Sequence, residues 1–350
     1  MKLNNGNMKL LFCIGTRPEI IKIYSTYKEA VRRGHKVKVF YTNQNYADCL
    51  SNLIFEGFNY DKKHIITSKA GNLDGLLKEL DNTMMGFKPD YVLVQGDTWS
   101  SLYGAIKAKA LGFKLAHIEA GLRSYDLKMV EERVRTIVDN IADVLFVPTS
   151  SAYVYLRGLG LSGEILDVGN TIFDLLKGQK KHKPKGYILV TLHRPELVDS
   201  QNKLENVLFG ISKISNHLKI PARFYIHPRT RDKINNFGIR FEHIALEEPV
   251  DHSDFIELLK GANLLITDSG GLQEEAAILL VPCITVRENT ERPETVLARL
   301  NKLTGYNPNC IFECAIDILD IFKKGLYKPN NLYGEGMTGK LIIDSLEDKC

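Results

Sequence analysis

The run Thr267-Asp268-Ser269-Gly270-Gly271-Leu272-Gln273-Glu274-Glu275 passes from an apolar stretch through a Ser-Gly-Gly turn into a helix-forming segment. Glycines there let the backbone approach a ligand closely, and the free N–H groups of a helix start suit a phosphate. Glu274 and Glu275 follow within a turn. Neighbouring helical residues point about 100° apart, so at most one of the two faces a ligand. A vicinal diol such as a ribose is a natural partner for it; a tight turn with helix-capping acids is the plainer alternative. Gly15-Thr16-Arg17-Pro18-Glu19-Ile20-Ile21-Lys22 has the same strand-to-helix character, with Pro18 suited to a first helical turn. Arg17 can fork onto phosphate oxygens with the helix N-terminus behind it, and Arg17 and Lys22 can equally be a solvated surface pair. Gln95-Gly96-Asp97-Thr98 puts a carboxylate where an apolar run ends, a position that a plain helix N-cap also explains. His117-Ile118-Glu119-Ala120-Gly121-Leu122-Arg123, followed by Glu131-Glu132, adds further carboxylates, which a structural ion pair and acids complementing a helix dipole would also account for. His193-Arg194 and His227-Pro228-Arg229 are polar clusters at strand ends, and Arg287–Glu294 is a charged loop after an apolar run. Several acidic segments arriving at one edge, beside arginines and a phosphate-type turn, suggest a functional site that suits an anionic ligand.

These segments need elements to hold them at one edge. Short apolar runs at Leu10–Ile14, Val37–Tyr41, Tyr91–Val94, Lys114–Ile118 and Val144–Val147 read as strands, with helices at about 19–33, 74–86 and 100–111 between them. The pattern restarts after about residue 170 with strands at Tyr187–Thr191, Arg223–Ile226, His243–Ala245, Leu264–Thr267 and Cys283–Val286, and helices at about 202–216, 252–260 and 271–280. Continuous apolar strands alternating with helices predict parallel sheets covered on both faces. The fold class is therefore α/β: two Rossmann-like, doubly wound domains facing across a cleft, with ligands at the carboxyl ends of the strands. The polar, basic stretch 177–186 suits an exposed connection. Gly158, Gly160 and Gly163 spell GxGxxG, but a helix precedes them and a strand, Glu164–Val168, follows. That reverses the order of a dinucleotide fingerprint. Neither NAD nor ATP is indicated.

The chain of 350 residues carries a net charge of +4, too small an excess to imply nucleic acid and no obstacle to an anionic small molecule. No apolar run reaches the roughly 18 residues of a membrane span. Cys13, Cys49, Cys283, Cys310, Cys314 and Cys350 form neither a CxxC pair nor a zinc-spaced cluster, which points to reduced thiols, a cytoplasmic protein and no metal.

Taken together, Gly15–Lys22, Gln95–Thr98, His117–Asp126, Val168–Asp174, His193–Glu196, Asp268–Ala276, Glu288–Thr295 and Tyr333–Gly336 resemble the non-hydrolysing UDP-N-acetylglucosamine 2-epimerases, in the family's order and across nearly the whole chain. The resemblance implies a GT-B fold, with residues 1–171 as an N-terminal domain carrying the carboxylates, 172–331 as a UDP-binding domain, and 332–350 as a helix returning to the first domain. It implies interconversion of UDP-N-acetylglucosamine and UDP-N-acetylmannosamine through a 2-acetamidoglucal, without cofactor or metal, by a homodimer. By the same match Asp97, Glu119 and Glu131 are acid/base candidates. His227 stands with them as a catalytic candidate expected near the diphosphate. Arg17, Lys22, Ser269, Gly270 and Gly271 are expected around the diphosphate and Glu275 at the ribose; His193, Arg194, Glu291 and Arg292 form a second rank of UDP contacts. The sequence departs from the family at Val130 and Val134, where Pro and Asn are usual, at Asn43-Gln44-Asn45 and at Leu332. Those departures leave room for an epimerase acting on a UDP-sugar altered at C3 or C6 and for a non-catalytic UDP-sugar sensor; a GT-B glycosyltransferase, which shares the fold and the diphosphate cradle, and a hydrolysing epimerase that releases the free sugar are further alternatives.

Overall fold

Strands that are apolar on both faces are stable only with helices on both sides, and the chain meets this demand twice. The computed structural model describes residues 7–43, 55, 57–329 and 331–349. They divide into one unit containing residues up to Leu175 together with those from Tyr333 onward, and a second running from Leu176 to Leu332. The Gln44-Asn45 departure lies outside the described residues.

The first unit holds a parallel sheet of β1 (Lys9–Ile14), β2 (Lys36–Tyr41), β3 (Ile65–Thr67), β4 (Tyr91–Gln95), β5 (Lys114–Ile118), β6 (Val144–Val147) and β7 (Glu164–Asp167). Their spatial order is β3-β2-β1-β4-β5-β6-β7. Leu11, Val92, Val94, Leu115 and Leu145 share one buried cluster with Leu80 and Met84 of the helix Leu73–Phe87 and Val138 of the helix Val130–Ile141. The second unit repeats the plan with β8 (Ile188–Thr191), β9 (Ala222–Tyr225), β10 (Ile244–Glu247), β11 (Leu264–Thr267), β12 (Cys283–Thr285) and β13 (Asn301–Leu303), in the order β10-β9-β8-β11-β12-β13. Ile188, Val190, Phe224, Leu264 and Ile266 pack with the helices Gln201–Leu218 and Pro308–Lys324. In each unit the strand order reverses direction beside the first strand, between β1 and β4 and between β8 and β11. That switch point is where open α/β sheets bind ligands.

The doubly wound α/β class read from the sequence holds for both units, and most strand bounds move by a residue or two. The helix expected over 19–33 is two helices, Arg17–Lys22 and Tyr24–Arg32, joined at Ile23. The two short strands β3 and β13 were not among the expected elements. The helix Ser150–Gly158 precedes the GxGxxG glycines and β7 follows them, the order that excludes a dinucleotide fingerprint. No helix among the described residues is long and apolar enough to cross a membrane.

The helix Thr338–Glu347 belongs to the first unit. Asp174 accepts from the N–H groups of Thr338 and Gly339 at 2.9 and 2.7 Å. Arg33 pairs with Asp344 at 2.6 Å and Glu347 at 2.5 Å, and His35 with Glu347 at 2.9 Å. Gly339 lies so close to the helix Tyr24–Arg32 that a Cβ would sit 2.5 Å from the backbone carbon of Ser25. Gly339→Ala is therefore expected to destabilise the protein by about 1–3 kcal/mol through overpacking. Denaturant titration reads this directly, and an unchanged midpoint would refute the close packing.

Candidate active site

In the first unit the flagged residues gather at the carboxyl ends of β1, β4 and β5. Gly15 follows β1, and a Cβ there would fall 1.9 Å from Ser100 Oγ, so only glycine lets this turn pass so close to the next helix. Arg17 and Lys22 are the first and last residues of the helix that follows. Arg17 is half-buried and forms no ion pair among the described residues. Lys22 pairs with Glu119. Glu119 also accepts from Gln95 Nε2 at 2.6 Å, and its side chain is only 9% exposed. Its backbone φ is +68°, a left-handed conformation that few side-chain-bearing residues adopt, and such strain concentrates at functional sites.

Asp97 follows β4 and pairs with Arg135 of the helix Val130–Ile141. Arg135 also donates to Glu132 at 3.0 Å. Glu132 is buried and accepts from the N–H and hydroxyl of Ser124 at 2.8 and 2.9 Å. Glu131, the acid/base candidate of this pair, is half-exposed and has no ion pair among the described residues. Val134, at the position of the family's Asn, is buried in the apolar core.

Beneath Glu119 lies a fully buried polar network. His117 Nδ1 is 2.7 Å from Asp139 and its Nε2 is 2.8 Å from the Gly96 carbonyl, so both ring nitrogens face acceptors. Asp139 also accepts from Arg123 at 2.6 Å and from the Gly121 N–H at 3.2 Å. Burial alone would raise the Asp139 carboxyl, but His117 and Arg123 outweigh it and hold it below the usual carboxylate range. The network ties the loop of Asp97 to that of Glu119.

The start of the helix Arg17–Lys22 is capped from within the chain: Glu19 closes a capping box with Thr16. Its carboxylate accepts from the N–H groups of Gly15 and Thr16 at 3.0 and 2.8 Å.

In the second unit the residues cluster beyond β8, β9 and β11. Asp268, fully buried after β11, accepts from the N–H groups of His193 and Arg194, each at 2.8 Å, and lies 3.2 Å from His193 Nδ1. Burial pushes its carboxyl up, yet His193 and the two backbone bonds more than offset this and hold it low. Ser269 is the N-cap of the helix Gly270–Ile278, and its hydroxyl makes no capping bond. This leaves the helix start without a side-chain cap, unlike that of the first unit. A Cβ on Gly270 would approach Glu291 and Arg194 at 3.6 and 3.9 Å, whereas one on Gly271 would meet nothing within 4 Å. His227 caps the helix Pro228–Phe237, its Nδ1 accepting from the Arg229 N–H at 3.3 Å. Burial, then His193 and Arg229, lower its pKa. A neutral imidazole accepting at Nδ1 presents Nε2–H as a donor.

Glu274 and Glu275 separate as the helical geometry requires. Glu274 is bound to Arg292 at 2.5 Å. Glu275 meets His252 at 2.7 Å through Oε1, while its buried Oε2 has no hydrogen-bond partner among the described residues. Glu291 forms a two-pronged pair with Arg287 at 2.8 and 3.0 Å. Gln95, Asp268 and Glu19 lie inside the recognised motifs and Arg135 directly follows Val134, yet none of the four is a site candidate by sequence; the pairings that reveal them lie in space. Among the described residues no group of three or more His, Cys, Asp or Glu is placed to hold a metal ion.

Comparison with known proteins gives concordant results. The family described as UDP-N-acetylglucosamine 2-epimerase matches residues 28–347. The UDP-N-acetylglucosamine 2-epimerase of Methanococcus maripaludis is 41% identical, with 96% of this chain and 97% of that protein covered. The UDP-2,3-diacetamido-2,3-dideoxy-D-glucuronate 2-epimerase of Pseudomonas aeruginosa is 33% identical, with 97% of this chain and 99% of that protein covered. The crystal structure of the Methanocaldococcus jannaschii UDP-GlcNAc 2-epimerase in complex with UDP-GlcNAc and UDP superposes with a TM-score of 0.85 at 36% identity, covering 97% of this chain and 99% of that one.

Proposed function

Because the chain belongs to the UDP-N-acetylglucosamine 2-epimerase family and is an epimerase, we propose that it interconverts UDP-N-acetylglucosamine and UDP-N-acetylmannosamine by elimination and re-addition of UDP. One observation above all supports this reading: in both units the candidate residues fall at the switch point of the sheet. Arg17 and Asp97 flank the one between β1 and β4, and His193, Arg194 and Ser269–Gly271 flank the one between β8 and β11.

The C2 proton of the sugar is not acidic in the ground state. It becomes so as the C1–O bond to UDP breaks and C1 gains oxocarbenium character. The bonding pair leaves on the diphosphate oxygen, a carboxylate takes the C2 proton, and 2-acetamidoglucal remains. UDP then re-adds at C1 as a proton is delivered to the opposite face of C2. Stabilising the departing diphosphate is the main electrostatic task. We assign it to Arg17, Lys22, Arg194, the Nε2–H of His227 and the backbone of Ser269, Gly270 and Gly271, with His193 and Arg292 supporting. Asp97, Glu119 and Glu131 are the acid/base groups. Glu275 offers its unsatisfied Oε2 to the ribose hydroxyls. In this reading the protein is a cytoplasmic homodimer that needs no metal or cofactor.

A second reading, a UDP-sugar altered at C3 or C6, is favoured by the change to Val134 beside Arg135 and by the likeness to the Pseudomonas enzyme. Incubation with UDP-N-acetylglucosamine in D₂O, followed by proton NMR, tests both. Loss of the C2–H signal with growth of the UDP-N-acetylmannosamine anomeric signal is expected. Exchange confined to a 3-acetamido or uronate substrate would replace the first reading with the second. No exchange on any of them would sink both.

A further inference from the structure

Glu19 is buried and receives five hydrogen bonds. Its Oε2 accepts from the Gly15 N–H at 3.0 Å, the Thr16 N–H at 2.8 Å and the Thr16 hydroxyl at 2.7 Å. Its Oε1 accepts from the hydroxyls of Thr98 at 2.8 Å and Ser101 at 3.2 Å. One oxygen thus holds the turn after β1, which carries Arg17, and the other holds the turn after β4, which carries Asp97. All five donors are neutral, and no cation pairs with Glu19 among the described residues. The titratable groups around it are the buried Cys13 thiol of β1, which burial and Glu19 push up, Asp97 next to Thr98, and Arg17 and Lys22 on its own helix. Of these Lys22 is engaged by Glu119 and Asp97 by Arg135.

A buried anion without a cation is poised between its two protonation states. Burial pushes the Glu19 carboxyl up to about 7, against the bonds from Thr16, Gly15 and Thr98. A diphosphate held by Arg17 adds negative charge two residues away in the chain, and like charge favours the neutral acid.

Resting on the diphosphate reading given above, we propose that Glu19 is a positioning residue that clamps the Arg17 turn to the Asp97 turn, and that binding of the diphosphate draws a proton from solvent onto its carboxylate. The neutral acid keeps the clamp by turning one bond around, donating to Thr98 Oγ1 instead of accepting from it.

Isothermal titration with UDP-N-acetylglucosamine at pH 7.5, in buffers of different ionisation enthalpy, counts the protons taken up. Heat of turnover is common to all buffers and drops out of the comparison, and a diphosphate diester lacks the second phosphate ionisation near 6 of a terminal phosphate. Wild type is expected to take up roughly half a proton more than Glu19→Gln. Because Glu19→Gln leaves every histidine in place, the difference between the two proteins is free of protons taken up by the histidines of the second unit. As a second measurement, a carboxyl ¹³C signal of the wild-type protein should titrate near neutral pH and move to higher pH on adding the nucleotide sugar. Equal proton uptake in wild type and Glu19→Gln, or no such carboxyl signal, overturns the proposal while leaving the diphosphate reading intact. If wild type fails to bind the nucleotide sugar, both fall.

Discussion

Glu119→Gln is expected to lower kcat for C2 epimerisation by about 10³-fold, the usual contribution of a positioned proton-transfer group, with little change in affinity for UDP. The side chain keeps its shape, the Gln95 contact survives in altered polarity, and the strained backbone at φ +68° is unaffected. What is lost is the basic oxygen and the charge that holds Lys22. Steady-state rates and the rate of C2 deuterium incorporation should fall together, because both pass through proton removal. If exchange persists at near wild-type rate while net epimerisation stops, Glu119 delivers the proton on the return face instead. A variant that retains more than a tenth of wild-type kcat would remove Glu119 from the reaction.

Asp139→Asn is expected to have the largest effect on stability. Asp139 and His117 are completely buried, and Arg123 nearly so. Removing this charge leaves the buried Arg123 guanidinium with only the more distant Glu132 carboxylate, at 3.9 Å, at a cost of about 3–5 kcal/mol, or roughly 10 °C in the unfolding temperature of a unit this size. The pH dependence follows from the sign of the shift. A carboxyl held below its unfolded value stabilises the fold above that value and ceases to do so as pH falls through the folded one. The gap between wild type and Asp139→Asn should therefore be constant near neutrality and close only below about pH 4. A gap that closes between pH 6 and 8 would show that Asp139 does not carry the linkage.

Both variants act on residues of differing legibility in the sequence. Glu119 could be found by pattern, because a carboxylate directly after an apolar run lies at a strand's carboxyl end. Asp139 could not: it lies in the last turn of an amphipathic helix, and its partners His117 and Arg123 are 22 and 16 residues away. The strands were readable because short, largely apolar runs such as Leu10–Ile14, Tyr91–Val94 and Val144–Val147 have no other stable home between helices. The exceptions, Ile65–Thr67 and Asn301–Leu303, are three-residue strands at sheet edges, too short for a periodic signal. Glu19 carries a local mark, the Thr16-x-x-Glu19 spacing of a capping box, yet that spacing predicts only a helix start. Its second set of bonds, to Thr98 and Ser101, depends on the sheet order that sets β1 beside β4. The pairing of Arg135 with Asp97 has the same origin, since it joins a helix to a loop 38 residues earlier.

The chain leaves the first unit at Leu175 and returns to it at Tyr333. During synthesis the residues that pack on the helix Tyr24–Arg32, and that pair with Arg33 through Asp344 and Glu347, therefore emerge only after Leu176–Leu332. Domains fold as they are completed, the earliest made usually first. Here that order is inverted: Leu176–Leu332 is a finished piece of chain while the earlier unit still lacks its closing helix. The nascent first unit must wait with an open apolar face, and with Arg33 paired to Glu29 alone, through the translation of more than a hundred residues. That is the interval in which a chaperone or a second nascent chain would find it.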